Sequence, residues 1–110
     1  MDGKQDHFLV KCPIEKIMNI IGPKWTFLIL RDLIIGPRRF GELLRSLNGI
    51  SPRTLSLRLK ELEKEGIINR ISYSEIPPHV EYSLTEKGES LRPIFNAMTD
   101  WGNEWEVLNS

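Results

Sequence analysis

Apolar positions repeat at helical spacing up to residue 66 and alternate after it. Ile14, Ile17, Met18 and Ile21 form one stripe, which predicts a helix from Pro13 to Ile21 that Gly22 and Pro23 break. The next run, "KWTFLILRDLII", is apolar almost all round, so a second helix from Lys24 to Ile35 is expected to be the most buried element. Gly36 and Pro37 end it, and Arg38 to Phe40 reads as a short extended link or a strand. Leu43, Leu44 and Leu47 then predict a third helix from Phe40 to Leu47.

"NGI" turns the chain directly into "SPRTLSLRLKELEKEG", where the helix signals are strongest. Ser51 suits the N-cap, Pro52 the first helical position, and Gly66 the end. Leu55, Leu59 and Leu62 mark the inward face. At 100° per residue the outward face carries Arg53, Leu57, Lys60 and Lys64, an unusual pairing of cations with a bare leucine. Two helices joined by so short a turn make a helix-turn-helix.

Beyond Gly66 the period changes. "IINRISYS" and "VEYSL" are rich in β-branched and aromatic residues and predict two strands, with "EIPPH" as the loop between them. A β-hairpin after a helix-turn-helix is a winged helix, so the expected fold class is mainly α (α+β), with a β-hairpin wing. Thr85 caps a last helical region whose apolar stripe is Leu91, Ile94, Phe95, Met98, Trp101 and Trp105. Pro93 is expected to kink or divide that region. Neither repeats nor linkers interrupt the pattern, and 110 residues suit a single domain.

Net charge is zero, but its distribution is uneven. Arg38, Arg39, Arg45, Arg53, Arg58, Lys60, Lys64 and Arg70 outnumber Glu42, Glu61, Glu63 and Glu65 in the middle of the chain. From Glu81 onward acidic residues dominate. A neutral chain can therefore still present a basic patch. No apolar run approaches a membrane span, the N-terminal residues lack a signal-peptide pattern, and one cysteine gives no disulfide framework; the expected location is cytoplasmic, away from membranes. His7, His79 and Cys12 have no metal-ligand spacing, and no phosphate loop or carboxylate pair is present, so no enzyme, metal or cofactor is expected.

On a helix-turn-helix the second helix enters the major groove, with its first turns against base edges. Arg53 is placed to pair with guanine, and Leu57, one turn later, to cover a thymine methyl. Ser51, Thr54 and Ser56 are short and polar, suited to phosphate or base contacts, and the helix start at Pro52 attracts phosphate. Lys60 and Lys64 lie further along and would neutralise backbone charge without reading sequence. Arg58, about sixty degrees off the core direction, suits a salt bridge or packing role. In the wing, Pro77 and Pro78 stiffen the loop that presents His79, a candidate phosphate contact. The expected partner is double-stranded DNA; a winged helix can also bind protein, but such a module has no need of Arg53 together with both lysines.

Two further features concern partners and signals. Trp101 and Trp105 lie one turn apart on the stripe with Met98 and Ile94, which suits burial against a second copy of the chain. Cys12 precedes Pro13 at a helix start and follows Lys11, a setting that favours the reactive thiolate and makes it a candidate redox sensor.

The blocks "GPKW", "GPRRFGEL", "LKELEKEGI" and "PPHVEYSLTEKG", in that order between Cys12 and Trp105, resemble the HxlR-type winged-helix transcriptional regulators. The resemblance implies homodimers that bind operator DNA, with the terminal helices forming the dimer interface. It also implies a cysteine at the position of Cys12 that senses oxidants or electrophiles in several members. One departure is His79, where the wing block of this family usually has arginine. The operator, the sign of regulation and any small-molecule effector are not readable from the sequence.

Overall fold

The structure, a computed structural model, describes residues 12–106. Lys11 and His7 lie outside the described residues. The elements run α1 (Pro13–Ile21), α2 (Lys24–Ile35), β1 (Arg38–Arg39), α3 (Phe40–Ser46), α4 (Pro52–Lys64), β2 (Ile68–Tyr73), β3 (His79–Leu84), α5 (Glu86–Glu89) and α6 (Arg92–Trp105). This is a mainly helical winged helix-turn-helix with a three-stranded antiparallel sheet and a long final helix.

Helix α2 runs through the middle of the core, as its all-round apolar composition predicts. Ile29 and Leu30 are fully enclosed, and Leu33 is nearly so. They meet Leu43 and Leu47 at α3, and Leu55, Leu59 and Leu62 of α4. Burying a leucine or isoleucine side chain stabilises by about 1.5–3 kcal/mol, so these three helices form the cohesive unit that carries the turn. Asp32 is also buried in α2, although nothing in the apolar run suggests a destination for it. Its carboxylate accepts from Ser46 Oγ at 2.6 Å and from the Arg31 guanidinium at 3.1 Å.

The turn between α3 and α4 depends on one glycine. Ile50 N–H donates to the Leu47 carbonyl at 3.0 Å, and Gly49 between them has φ of +100°. That backbone angle is costly for any residue with a Cβ. At the far end of α4, Ile67 N–H bonds the Leu62 carbonyl and Gly66 N–H the Glu63 carbonyl, with Gly66 at φ +76°. This is a Schellman ending, as Gly66 predicts. Helix α3 stops at Ser46, one residue earlier than the leucine spacing predicts, because Leu47 leaves helical geometry to begin the turn.

The sheet has the order β1-β3-β2. Arg38 pairs with Tyr82 and Arg39 with Glu81, so the link before α3 is a true edge strand. Hairpin pairing extends from Ile68 opposite Leu84 to Tyr73 opposite His79. His79 is thus the first residue of β3 rather than part of the loop. Thr85 ties the hairpin back to α4: its hydroxyl donates to the Gly66 carbonyl at 2.6 Å and accepts from Gly88 N–H at 3.0 Å, capping α5.

The final helical region is divided, not kinked. Leu91 forms the N-cap of α6 and Pro93 falls in its first turn, where the missing N–H costs nothing. The apolar stripe also splits. Phe95 is buried and stacks on Phe27 of α2 with ring centroids 4.7 Å apart, whereas Ile94, Met98, Trp101 and Trp105 are exposed.

Candidate nucleic-acid interface

The interface begins at the first turn of α4. Ser51 Oγ accepts from Thr54 N–H at 3.0 Å and lies 3.0 Å from Thr54 Oγ1. The cap predicted at Ser51 is therefore formed, and both hydroxyls are engaged in holding the helix start. Pro52 occupies the first helical position, leaving no wasted donor there. An N-cap of this kind stabilises by about 1 kcal/mol and fixes where the following side chains emerge.

Arg53, Leu57, Lys60 and Lys64 all lie on the exposed side of α4, within a stripe roughly 60° wide. Leu57 is half exposed. Among the described residues, Arg53, Lys60 and Lys64 have no ion-pair or hydrogen-bonding partner for their side chains. Arg58 differs: Nη1 donates to Glu61 Oε1 at 2.9 Å, the salt-bridge role its position predicts. The helix thus separates a paired arginine on its flank from unpaired cations on its face.

The wing stands beside this face. Its loop, 74–78, contains Ser74, Glu75, Ile76, Pro77 and Pro78, all exposed and none cationic. Ile76 is almost completely bare. His79 is mostly covered: its ring stacks on Tyr73 at a centroid distance of 4.7 Å, and Nδ1 lies 3.7 Å from Glu75 Oε1. The histidine expected at the loop tip is thus a rung of the sheet turned toward a carboxylate. Tyr73 Oη donates to Glu81 Oε1 at 3.4 Å. The charge of Glu81 is the main cause that holds the Tyr73 phenol above its ordinary value of 10.0, with burial, that hydrogen bond and Glu75 adding in the same direction.

Pairing register places Arg70 directly opposite Tyr82, on the sheet face that continues from buried Ile68. A cleft of about 330 Å³ opens there between α4 and the sheet, and Ser56, Lys60 and Arg70 share its lining. The structure therefore adds Arg70 to the residues near the helix face. Its signal in the sequence was a lone arginine at an alternate position of a strand.

The other predicted sites lie elsewhere. Cys12 is the N-cap of α1, as its place before Pro13 predicts, and is 4% exposed. Ile94, Met98, Trp101 and Trp105 follow one side of α6, and Ile14 and Met18 of α1 are likewise exposed. No group of three or more His, Cys, Asp or Glu residues that could hold a metal occurs among the described residues. No helix among them is long and apolar enough to cross a membrane.

Comparison with known proteins agrees with this architecture. A family model described as HxlR-like helix-turn-helix matches residues 20–109. An uncharacterized HTH-type transcriptional regulator of Synechocystis sp., sll1512, is 50% identical over 94 residues, spanning 86% of this chain and 70% of that protein. The redox regulator HypR in its reduced form superimposes with a TM-score of 0.80 at 43% identity, covering 88% of this chain and 97% of that one. The reduced form of the transcriptional regulator YodB from B. subtilis gives a TM-score of 0.76 at 37% identity, covering 89% and 97%. The matched span takes in the paired helices, the wing and the final helix together, and on that evidence the chain belongs to the HxlR-like helix-turn-helix family of transcriptional regulators and is not an enzyme.

Proposed function

We propose that this regulator binds an inverted-repeat operator as a homodimer, reading bases with the first two turns of α4. The observation that carries the reading is the unpaired, outward stripe of Arg53, Leu57, Lys60 and Lys64 on a firmly capped helix. A stripe with only a stabilising role would pair its cations, as Arg58 does with Glu61. Arg53 is assigned to a guanine edge and Leu57 to a thymine methyl. Lys60 and Lys64 neutralise phosphates, and Ser56 adds a polar contact. Ser51, Pro52 and Thr54 set the helix start against the backbone, where the helix dipole favours phosphate. Pro77, Pro78 and His79 bring the wing alongside the same duplex.

The dimer reading rests on the exposed side chains of Ile94, Met98 and Trp101, continued by Trp105, on a helix already anchored by Phe95. Apolar stripes of this kind mark association surfaces. Two copies would set two recognition helices about 34 Å apart, one turn of duplex. Selection of bound duplexes from a random pool tests this: the expected product is an inverted repeat with half-sites one turn apart. Recovery of unrelated sequences, bound no better than the starting pool, contradicts it.

A thiol switch at Cys12 is the second part of the proposal. Support comes from its N-cap position, where no side-chain hydrogen bond occupies the sulfur, and from similarity to a protein described as a redox regulator and solved in reduced and oxidized forms. Because Cys12 is buried, its modification requires the first turn of α1 to open, and that opening is what would carry the signal to α1 and its neighbours.

A further inference from the structure

We propose that Arg70 and Lys60 form a phosphate clamp, and that the charged contact of the wing comes from its base and not from its tip. The proposal rests on the DNA-binding reading given above. It starts from where cations are absent. The exposed loop 74–78 offers a carboxylate, Glu75, and no positive side chain, while His79 is stacked under Tyr73 and turned to that carboxylate. A wing approaching a polyanion with this tip gains no electrostatic attraction there.

The base of the wing is different. Alternation along β2 puts Ile68, Arg70 and Ser72 on one sheet face, and Ile68 is buried. Arg70 therefore points to the side on which α4 packs, above Tyr82. Across the cleft Lys60 projects from the exposed side of α4, with Ser56 one helical turn before it. Phe40, Val80 and Tyr82 complete the lining of the cleft, and both cations remain exposed and open to a ligand from solvent.

Glu63 lines the same cleft and is the obvious structural partner for either cation. Among the described residues, neither cation makes an ion pair with it; the only bond recorded for Arg70 is from Nη1 to Ser72 Oγ at 3.3 Å. A long bond to a hydroxyl leaves most of the guanidinium fork free. A planar fork from a strand and an ammonium from a helix, facing one cleft, match a single backbone phosphate gripped from two sides. The phosphate would be one that flanks the bases read by Arg53, which fixes the register of α4 in the groove.

The test is the salt dependence of binding to a fluorescein-labelled duplex of random sequence, measured by anisotropy with the full chain. Arg70→Gln keeps much of the side-chain volume and removes the charge. The expected result is a fall of about 0.9, per bound copy, in the slope of log K against log salt, with weaker binding to every sequence. Arg70→Lys should return most of the slope, and Arg70→Gln with Lys60→Gln should lower it by roughly twice as much. Lys16→Gln, on α1, should leave the slope unchanged. Thermal unfolding of each variant separates a folding defect from a lost contact, and Arg70→Met removes the same charge if Arg70→Gln does not fold. An unchanged slope in folded Arg70→Gln, with wild type bound normally, overturns the clamp and leaves the DNA-binding reading standing. Salt-independent or absent binding by wild type overturns both.

Discussion

Ser46 Oγ donates to the Asp32 carboxylate at 2.6 Å, and this bond joins the last turn of α3 to the last turn of α2. Asp32 as a residue is 5% exposed, and a buried polar group is costly unless it is hydrogen-bonded. Arg31, half exposed at its side chain, supplies the counter-charge at 3.1 Å. The Ser46–Asp32 bond thus ties α3 to α2 beside the core contacts of Leu43 and Leu47.

Breaking that bond should therefore lower stability. Asp32→Ala is expected to lower stability by about 1–3 kcal/mol, the cost of losing a buried charge-assisted hydrogen bond. Urea unfolding should show a lower midpoint, and Ser46→Ala a smaller loss, because its hydroxyl lies near solvent. A double-mutant cycle that gives additive losses would show that the two side chains do not cooperate.

Met98→Glu with Trp101→Glu should produce a monomer. Both side chains are exposed in the single chain, so the substitutions leave the core intact and place charge only where a second copy would pack. Light scattering should report a dimer for wild type and a monomer for the variant, with operator affinity lost in parallel. A monomeric wild type at micromolar concentration is incompatible with the dimer reading.

Cys12→Ser should uncouple DNA binding from oxidants. Diamide is expected to release wild type from its operator and to leave the variant bound. The single cysteine can react with the partner chain, with a small thiol or as far as sulfenic acid, so reductant should restore binding after either disulfide. If wild type remains bound once its thiol is fully consumed, Cys12 has a packing role only.

The wing carries its own alkaline limit. Glu81, by its charge, is the main cause raising the Tyr73 phenol above its ordinary value of 10.0. The folded chain thus holds this proton more tightly than the unfolded one. The associated stability is fully present below the ordinary tyrosine value and is lost as pH rises through the folded value. Phenolate absorbance in a Tyr82→Phe background should show Tyr73 titrating late, and Glu81→Gln should bring it down. Coincident titration curves would remove Glu81 as the cause.

Much of α4 was legible from local chemistry alone. Ser51, Pro52 and Gly66 set its ends because capping and positive φ depend on residues within a few positions. The buried Leu55, Leu59 and Leu62, and the bare Leu57 opposite them, follow from helical geometry. What depended on distant pairing was not legible. An extended link or strand is expected from Arg38 to Phe40, but not its pairing with Tyr82 and Glu81, more than forty residues away. The place of Arg70 follows from register with the same Tyr82, and that of His79 from pairing with Tyr73. Leu91, Ile94 and Phe95 looked alike on a helical stripe, yet Phe95 turns inward because Phe27 waits on α2.

The central claim is that Arg53 reads a base while Lys60 holds the backbone, and one comparison tests it directly. Affinities of wild type, Arg53→Ala and Lys60→Ala are measured for the selected operator and for random duplex at equal salt. Arg53→Ala should cost about 1–3 kcal/mol on the operator and little on random DNA, collapsing the specificity ratio. Lys60→Ala should weaken both alike and keep the ratio. Equal losses on operator and random DNA for both variants would contradict the assignment of base reading to Arg53.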